Sequence, residues 1–246
     1  MQAEPICPQA YAPDFDLAMA FQPIVDVVGG GIFAYEALVR GPTGEGAEAI
    51  LAAVTPEQRY AFDQKCRVTA IREAVKAGIG ATSARLAINF MPDVISDPMA
   101  DSEATLEAAK ETGLPPERLI FEFSGLDRLD SSRMADTISA YRRMGMMTSF
   151  DDFDSHADGL GLLGRFTPDM IKLNPQLVRN LSSSWSRRLI VEKIATVTHR
   201  LGIRLVAEGV ENRSDSDKLR SLGIRYQQGY HIARPAVGRL PRPFSG

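Results

Sequence analysis

Short, nearly continuous apolar runs recur along this chain, each separated from the next by a stretch of helical spacing. That alternation limits the fold more than any other feature of the sequence. The runs are FQPIVDV (21–27), IFAYEALVR (32–40), RLAINF (85–90), LIFEF (119–123), TSFDD (148–152), MIKLN (170–174), IRLVAEG (203–209) and YQQGYHI (226–232). Strands that are apolar on both faces belong in a sheet covered on both sides, as parallel sheets are. Between them, helices are predicted over 55–77, 102–112, 132–144, 159–165, 185–201 and 215–222. Thr55 is the N-cap of the first, Pro56 its first helical residue and Gln58 the capping-box partner, and Gly78 marks its end. Val68, Ile71 and Val75 share one face of that helix, and Ile190, Ile194, Val197 and Leu201 share one face of the long helix. Gly29, Gly30 and Gly31 join the first two runs as a hairpin. Eight strands and their intervening helices, in about 230 residues, predict an α/β fold. It is a modified (β/α)8 TIM-like barrel with one antiparallel strand. Residues 1–16 read as a lead-in and 17–246 as a single barrel domain.

Composition narrows the function. Of 246 residues, 44% are hydrophobic and 24% charged, with a net charge of −3. That balance lacks the clustered positive charge that phosphate backbones require, so no nucleic-acid partner is expected. No apolar stretch approaches the roughly 18 residues of a membrane span. The opening MQAEPICPQAYAPDFD has no basic segment leading into an apolar one, so no secretory signal is read there. Two cysteines, Cys7 and Cys66, make neither a disulfide framework nor a cysteine zinc cluster, and a cytoplasmic location is expected.

Polar residues interrupt the runs at equivalent places. Glu36 lies in the second, Asn89 near the end of the third and Glu122 in the fourth. Asp151 and Asp152 end the fifth, Lys172 lies in the sixth, Glu208 near the end of the seventh with Glu211 beyond it, and Gln228 in the eighth. In a (β/α)8 barrel the strand C-termini converge on one mouth, so these residues meet there. Carboxylates with one amide oxygen are hard ligands suited to Mg²⁺ or Mn²⁺. A bridging Asp151 beside Asp152 suits a two-metal site for phosphoryl chemistry, with Lys172 neutralising charge or positioning water and Glu208 as ligand or base. Each residue also has an ordinary structural reading: a solvated glutamate, a turn asparagine, an N-capping aspartate, a surface lysine. It is their equivalent placement in successive units that favours a shared site.

These residues sit in ordered motifs. Glu36-Ala37-Leu38 lies inside YEALVRG, with FQPI (21–24), IKLN (171–174), AEGVE (207–211) and QGYHIARP (228–235) in sequence. The pattern, spanning about residues 18–240, resembles the EAL domain of bacterial cyclic-di-GMP phosphodiesterases, second-messenger signalling enzymes. The resemblance implies a modified barrel that hydrolyses cyclic di-GMP to linear pGpG with Mg²⁺ or Mn²⁺. It implies Glu36, Asn89, Glu122 and Asp151 as ligands of one metal, and Asp151, Asp152 and Glu208 as ligands of the second. Lys172 then holds the nucleophilic water, Glu208 assists its activation and Glu211 supports the second metal. Gln22, Leu38, Arg40, Gln228 and Pro235 fall where the family contacts guanine or phosphate. The resemblance leaves room for a homodimer and for a regulatory protein partner.

The chain departs from the family after the Asp-Asp pair. Two glycines of the usual loop are replaced by Asp154 and His156, and the glutamate that braces the loop is replaced by Gly125. Met91 stands where a polar residue is expected, and Asn174 where an aspartate is. Losing such support commonly weakens a metal site about 10–100-fold. The expectation is therefore a weak or partner-activated phosphodiesterase, or else an inactive EAL domain serving as a cyclic-di-GMP receptor or protein-interaction module.

Overall fold

The computed structural model describes residues 16–91, 97–124, 131–154, 161 and 163–244. Of the predicted helix over 159–165, residues 161 and 163–165 are among these and are helical, whereas Gly125 and His156 lie outside the described residues.

The strands are β1 (Ala18–Asp26), β2 (Ile32–Arg40), β3 (Arg85–Phe90), β4 (Leu119–Phe123), β5 (Met147–Phe153), β6 (Met170–Leu173), β7 (Arg204–Ala207), β8 (Tyr226–Gln227) and β9 (Ala236–Val237). β2 to β8 pair in parallel, in chain order. β1 is antiparallel to both β2 and β8 and so closes the barrel. β9 adds a short antiparallel pairing to β1. The fold is the expected (β/α)8-type barrel with one antiparallel strand, and the hairpin at Gly29–Gly31 supplies that strand.

The outer helices are α1 (Ala47–Ala53), α2 (Arg59–Lys76), α3 (Pro98–Asp101), α4 (Glu103–Thr112), α5 (Ser131–Arg143), α6 (Pro175–Val178), α7 (Trp185–Arg200) and α8 (Arg213–Ser221). A turn of 3₁₀ helix, Pro56–Gln58, leads into α2 and carries the expected capping box, in which the Gln58 side chain accepts from the Thr55 N–H at 3.2 Å. Ile71 of α2 is fully buried, with Val68 and Val75 packed around it.

Two apolar layers result. The outer one lies between sheet and helices and includes a cluster of rings in which Phe121 stacks on Tyr141 at 4.7 Å. The inner one plugs the barrel with Ile24, Ala34, Ala87, Ile120, Met170 and Val206, flanked by Phe33, Met147 and Tyr226. Alternation along a strand then dictates what sits above the plug. Two residues further along each parallel strand comes Glu36, Asn89, Glu122, Asp151 (after Ser149), Lys172, Glu208 or Gln228. In β1, which runs the other way, Gln22 precedes Ile24.

The last predicted strand is shorter than expected: of 226–232 only Tyr226 and Gln227 pair with β7. Gly229 then passes so close to β7's exit that a Cβ on it would lie 2.2 Å from the Val210 carbonyl oxygen. From there a turn carries Ile232 and Ala233 N–H onto the Gly229 oxygen, which ends the ladder.

Candidate functional site

The site is a buried lysine ringed by carboxylates from four other strands. Lys172 Nζ lies 2.8 Å from Glu208 Oε1, 3.0 Å from Glu122 Oε2, 3.2 Å from Glu36 Oε1 and 3.4 Å from Asp151 Oδ1. Lys172 and Glu122 are wholly buried, and Glu36 nearly so. Two amides complete the ring. Asn89 Nδ2 donates to Glu36 Oε1 at 3.1 Å, and Gln228 Nε2 donates to Glu36 Oε2 at 2.5 Å and to Gln22 Oε1 at 3.2 Å. Gln22 in turn donates to the Ala233 carbonyl at 3.0 Å. Eight residues spread over the whole chain thus share one small volume, as the strand-end pattern predicts.

The electrostatics reflect that crowding. Burial pulls the pKa of the Lys172 ammonium down. The Asp151, Glu122, Glu208 and Glu36 carboxylates outweigh burial and hold its pKa well above the ordinary value. Burial pushes the Glu208 carboxyl up to about 8 against the pull of Lys172, and the charges of Asp151 and Glu36 add to the rise. Burial likewise drives Glu122 well above the usual carboxylate range. One ammonium does not balance this many acids.

The second aspartate sits differently from the first. The β5–β6 register shifts between Phe150 and Phe153, which makes a bulge. Asp151 keeps the inward direction, while Asp152 takes a left-handed backbone with φ of 57° and an exposed side chain. Burial and the neighbouring Asp151 charge raise the Asp152 pKa. Ser124, at the exit of β4, donates to Asp151 Oδ2 at 3.3 Å. Sequence reasoning misses Ser124, although it lies two positions beyond Glu122 on the same face. After Glu208 the chain turns sharply at Gly209, whose φ is 65° and where a Cβ would come within 2.8 Å of Pro175.

Other predicted residues lie outside the ring. Glu211 is half-exposed and pairs with Arg179 at 3.1 Å. Arg40 Nη1 donates to the Val39 carbonyl at 2.7 Å, and Leu38 and Pro235 are half-buried near the rim. Asn174 accepts from Gln176 N–H at 2.8 Å and caps α6. Beside Glu36, Asn89 and Asp151 opens a cavity of about 380 Å³, lined by Leu38, Leu51, Phe62, Phe90 and Met91 among others.

Among the described residues, no three His, Cys, Asp or Glu side chains close on one point as a ready-made metal cage. The donor set nonetheless suits a divalent cation. Every carboxylate donor is a hard oxygen, the charge is in excess, Glu122 Oε1 is buried without a hydrogen-bond donor, and Asp151 Oδ1 faces only the Lys172 ammonium at 3.4 Å.

The comparisons with known proteins agree with this geometry. A crystal structure of a standalone versatile EAL protein from Vibrio cholerae O395, in its c-di-GMP bound form, matches with a TM-score of 0.89. It is 38% identical, and the match covers 94% of this chain and 97% of that one. The manganese/cy-diGMP complex of Klebsiella pneumoniae BlrP1 matches with a TM-score of 0.84 at 31% identity, covering 94% of this chain and 59% of that one. The cyclic di-GMP phosphodiesterase RocR of Pseudomonas aeruginosa is 31% identical over 153 residues, 61% of this chain and 38% of RocR. The chain spans 57%, 32% and 14% of the lengths of the first three curated relatives it matches. A family model for the EAL domain matches residues 11–235, and the chain belongs to the EAL domain family.

Proposed function

We propose that this chain hydrolyses cyclic di-GMP to linear pGpG with the help of Mg²⁺ or Mn²⁺. One observation carries the reading: four carboxylates from four strands surround Lys172 at 2.8–3.4 Å beneath the barrel mouth. The family membership, the cyclic-di-GMP-bound neighbour and the manganese-containing one support it.

Glu36, Asn89, Glu122 and Asp151 would hold one cation, and Asp151, Asp152 and Glu208 a second. Two divalent cations there would supply a water of lowered pKa and positive charge against the phosphate oxygens. The protein's own groups do the rest. Lys172 is fixed by its four acidic neighbours, so its N–H bonds are oriented before substrate arrives, and it holds the attacking water. Glu208, 2.8 Å from Lys172 at the exit of β7, receives the proton that water loses. Gln22 and Gln228, locked to each other and to Glu36, present amides at the rim. Leu38 and Pro235 offer apolar contact to guanine there, and Arg40 offers a planar fork to phosphate. Glu211 acts from outside the ring as support for the second cation.

The deciding experiment is incubation of purified protein with cyclic di-GMP and Mg²⁺, then Mn²⁺, with chromatography for pGpG. Product that disappears in Glu36→Ala and Asp151→Ala, both still folded, supports the assignment. Unchanged turnover in both variants refutes it.

A second reading is a non-catalytic receptor or protein-interaction module. It is favoured by the outward placement of Asp152 and by the pairing of Glu211 with Arg179 outside the ring. Tight cyclic-di-GMP binding without product, in either metal, would select that reading.

A further inference from the structure

Asn89 is the least supported of the inward residues. It is exposed, it lies at the end of β3, and its amide contacts Glu36. The chain just beyond it is held by an ionic network on the far side of the strand. The β3 ladder to β2 ends at Ile88 and the ladder to β4 at Phe90. The next N–H, that of Met91, therefore lacks a strand acceptor, and Asp63 Oδ1 of α2 accepts it at 3.0 Å. Asp63 is 2% exposed and pairs through Oδ2 with Arg67 Nη2 at 2.9 Å. The wholly buried Arg67 guanidinium lies 5.3 Å from the centre of the Phe90 ring and reaches Asp101 Oδ2 at 3.0 Å. Asp101, at the end of α3, also accepts from Gln64 Nε2 at 2.7 Å on its side chain and 2.8 Å on its carbonyl. Phe90 and Met91 are thus both gripped, and so is the helix to which the chain returns.

Such a network is a poor source of stability. Buried ion pairs recover little beyond the cost of desolvating them, and apolar residues of equal volume often serve as well. Its geometry serves a different end: it fixes where β3 stops, at a position where residue 91 offers no polar side chain. We propose that Asp63, Arg67 and Asp101 are positioning residues that hold Asn89 in register for the first divalent cation, and so set the affinity of the site for it. The inference rests on the two-cation reading of the site, and no part of the network touches a reacting atom.

Calorimetric titration of the whole protein with Mn²⁺, without nucleotide, tests it. Asp63→Ala should weaken Mn²⁺ binding about 10–100-fold, the usual cost of losing a group that orients a ligand. Asp63→Asn keeps an oxygen for the Met91 N–H and should lose distinctly less. Arg67→Met should match Asp63→Ala and takes its place if that variant does not fold. In turnover, the Mn²⁺ requirement should rise while kcat at saturating Mn²⁺ is retained. Val191→Ala, a core change in α7 outside the Asp63–Arg67–Asp101 network, should lower Tm and leave Mn²⁺ affinity unchanged. Parental affinity in Asp63→Ala or Arg67→Met overturns the proposal alone, as does equal weakening in Val191→Ala. A parent that binds no Mn²⁺ overturns the metal reading with it.

Discussion

Replacing Lys172 by methionine removes a charge while nearly conserving volume, and the site's geometry sets the consequence. Four carboxylate oxygens lie 2.8–3.4 Å from Nζ. At an effective dielectric constant of 20, each contact near 3 Å is worth about 5 kcal/mol gross. Most of that is offset by desolvation and by repulsion among the acids. Removing one partner of a buried ionic cluster leaves a net loss of about 3–5 kcal/mol. In a chain of this size that corresponds to a drop in Tm of about 6–20 °C. The loss should depend on pH. Burial already raises Glu208 to about 8 and Glu122 well above the carboxylate range with the lysine present, and without it these two buried acids titrate higher still. Their folded pKa values then exceed the unfolded ones, so the penalty is complete above the folded values and fades as the acids take up protons. Thermal melts in a chelating buffer should therefore show a large deficit for Lys172→Met at pH 9 and a smaller one at pH 5.5. Millimolar Mn²⁺ should narrow the deficit at pH 9, because a cation restores the missing charge. A deficit independent of pH would show that Lys172 packs rather than neutralises, and the electrostatic account of the site would fail.

Two further predictions lie away from the ring. Gly229→Ala forces a Cβ to 2.2–2.7 Å from three backbone atoms of Val210, so β8 must shift and carry Gln228 with it. Urea unfolding should register a loss above about 2 kcal/mol, and on the proposed function cyclic-di-GMP affinity should fall with it; a variant of parental stability would contradict the close approach. Asp26 is held at about 2, chiefly by its hydrogen bond with Arg225. Because its folded pKa lies below the unfolded value, its contribution is present above pH 4 and lost as pH falls through 2. The Tm gap between parent and Asp26→Asn should accordingly close on acidification from pH 6 to pH 2, and a gap of constant size would count against the pairing.

Much of this architecture is legible in period-two spacing. Apolar Ala34, Ala87, Ile120, Met170 and Val206 each precede by two a polar residue that faces the mouth, and no long-range information is needed to see that. Strands β3 and β4 begin and end where their apolar runs do. What escapes the sequence depends on contacts distant in the chain. Helix α1 buries none of its residues, so it leaves no apolar stripe to read. β8 stops after two residues because Val210 crowds Gly229. The bulge at Asp152 breaks the alternation that would otherwise give its direction, and the Asp63–Arg67–Asp101 network lies in helices whose charged residues read as ordinary surface groups.

The reversed direction of β1 has a consequence for how this barrel is wired to anything upstream. In an all-parallel barrel the chain enters on the face opposite the strand exits, so a preceding module is kept a full strand length from the chemistry. Here Ala18 pairs with Arg40, the last residue of β2, so the entering chain arrives at the same rim where the carboxylates open to solvent. Four residues on, Gln22 accepts from Gln228, which in turn donates to Glu36, so the entering strand and the charged ring share one hydrogen-bonded rim.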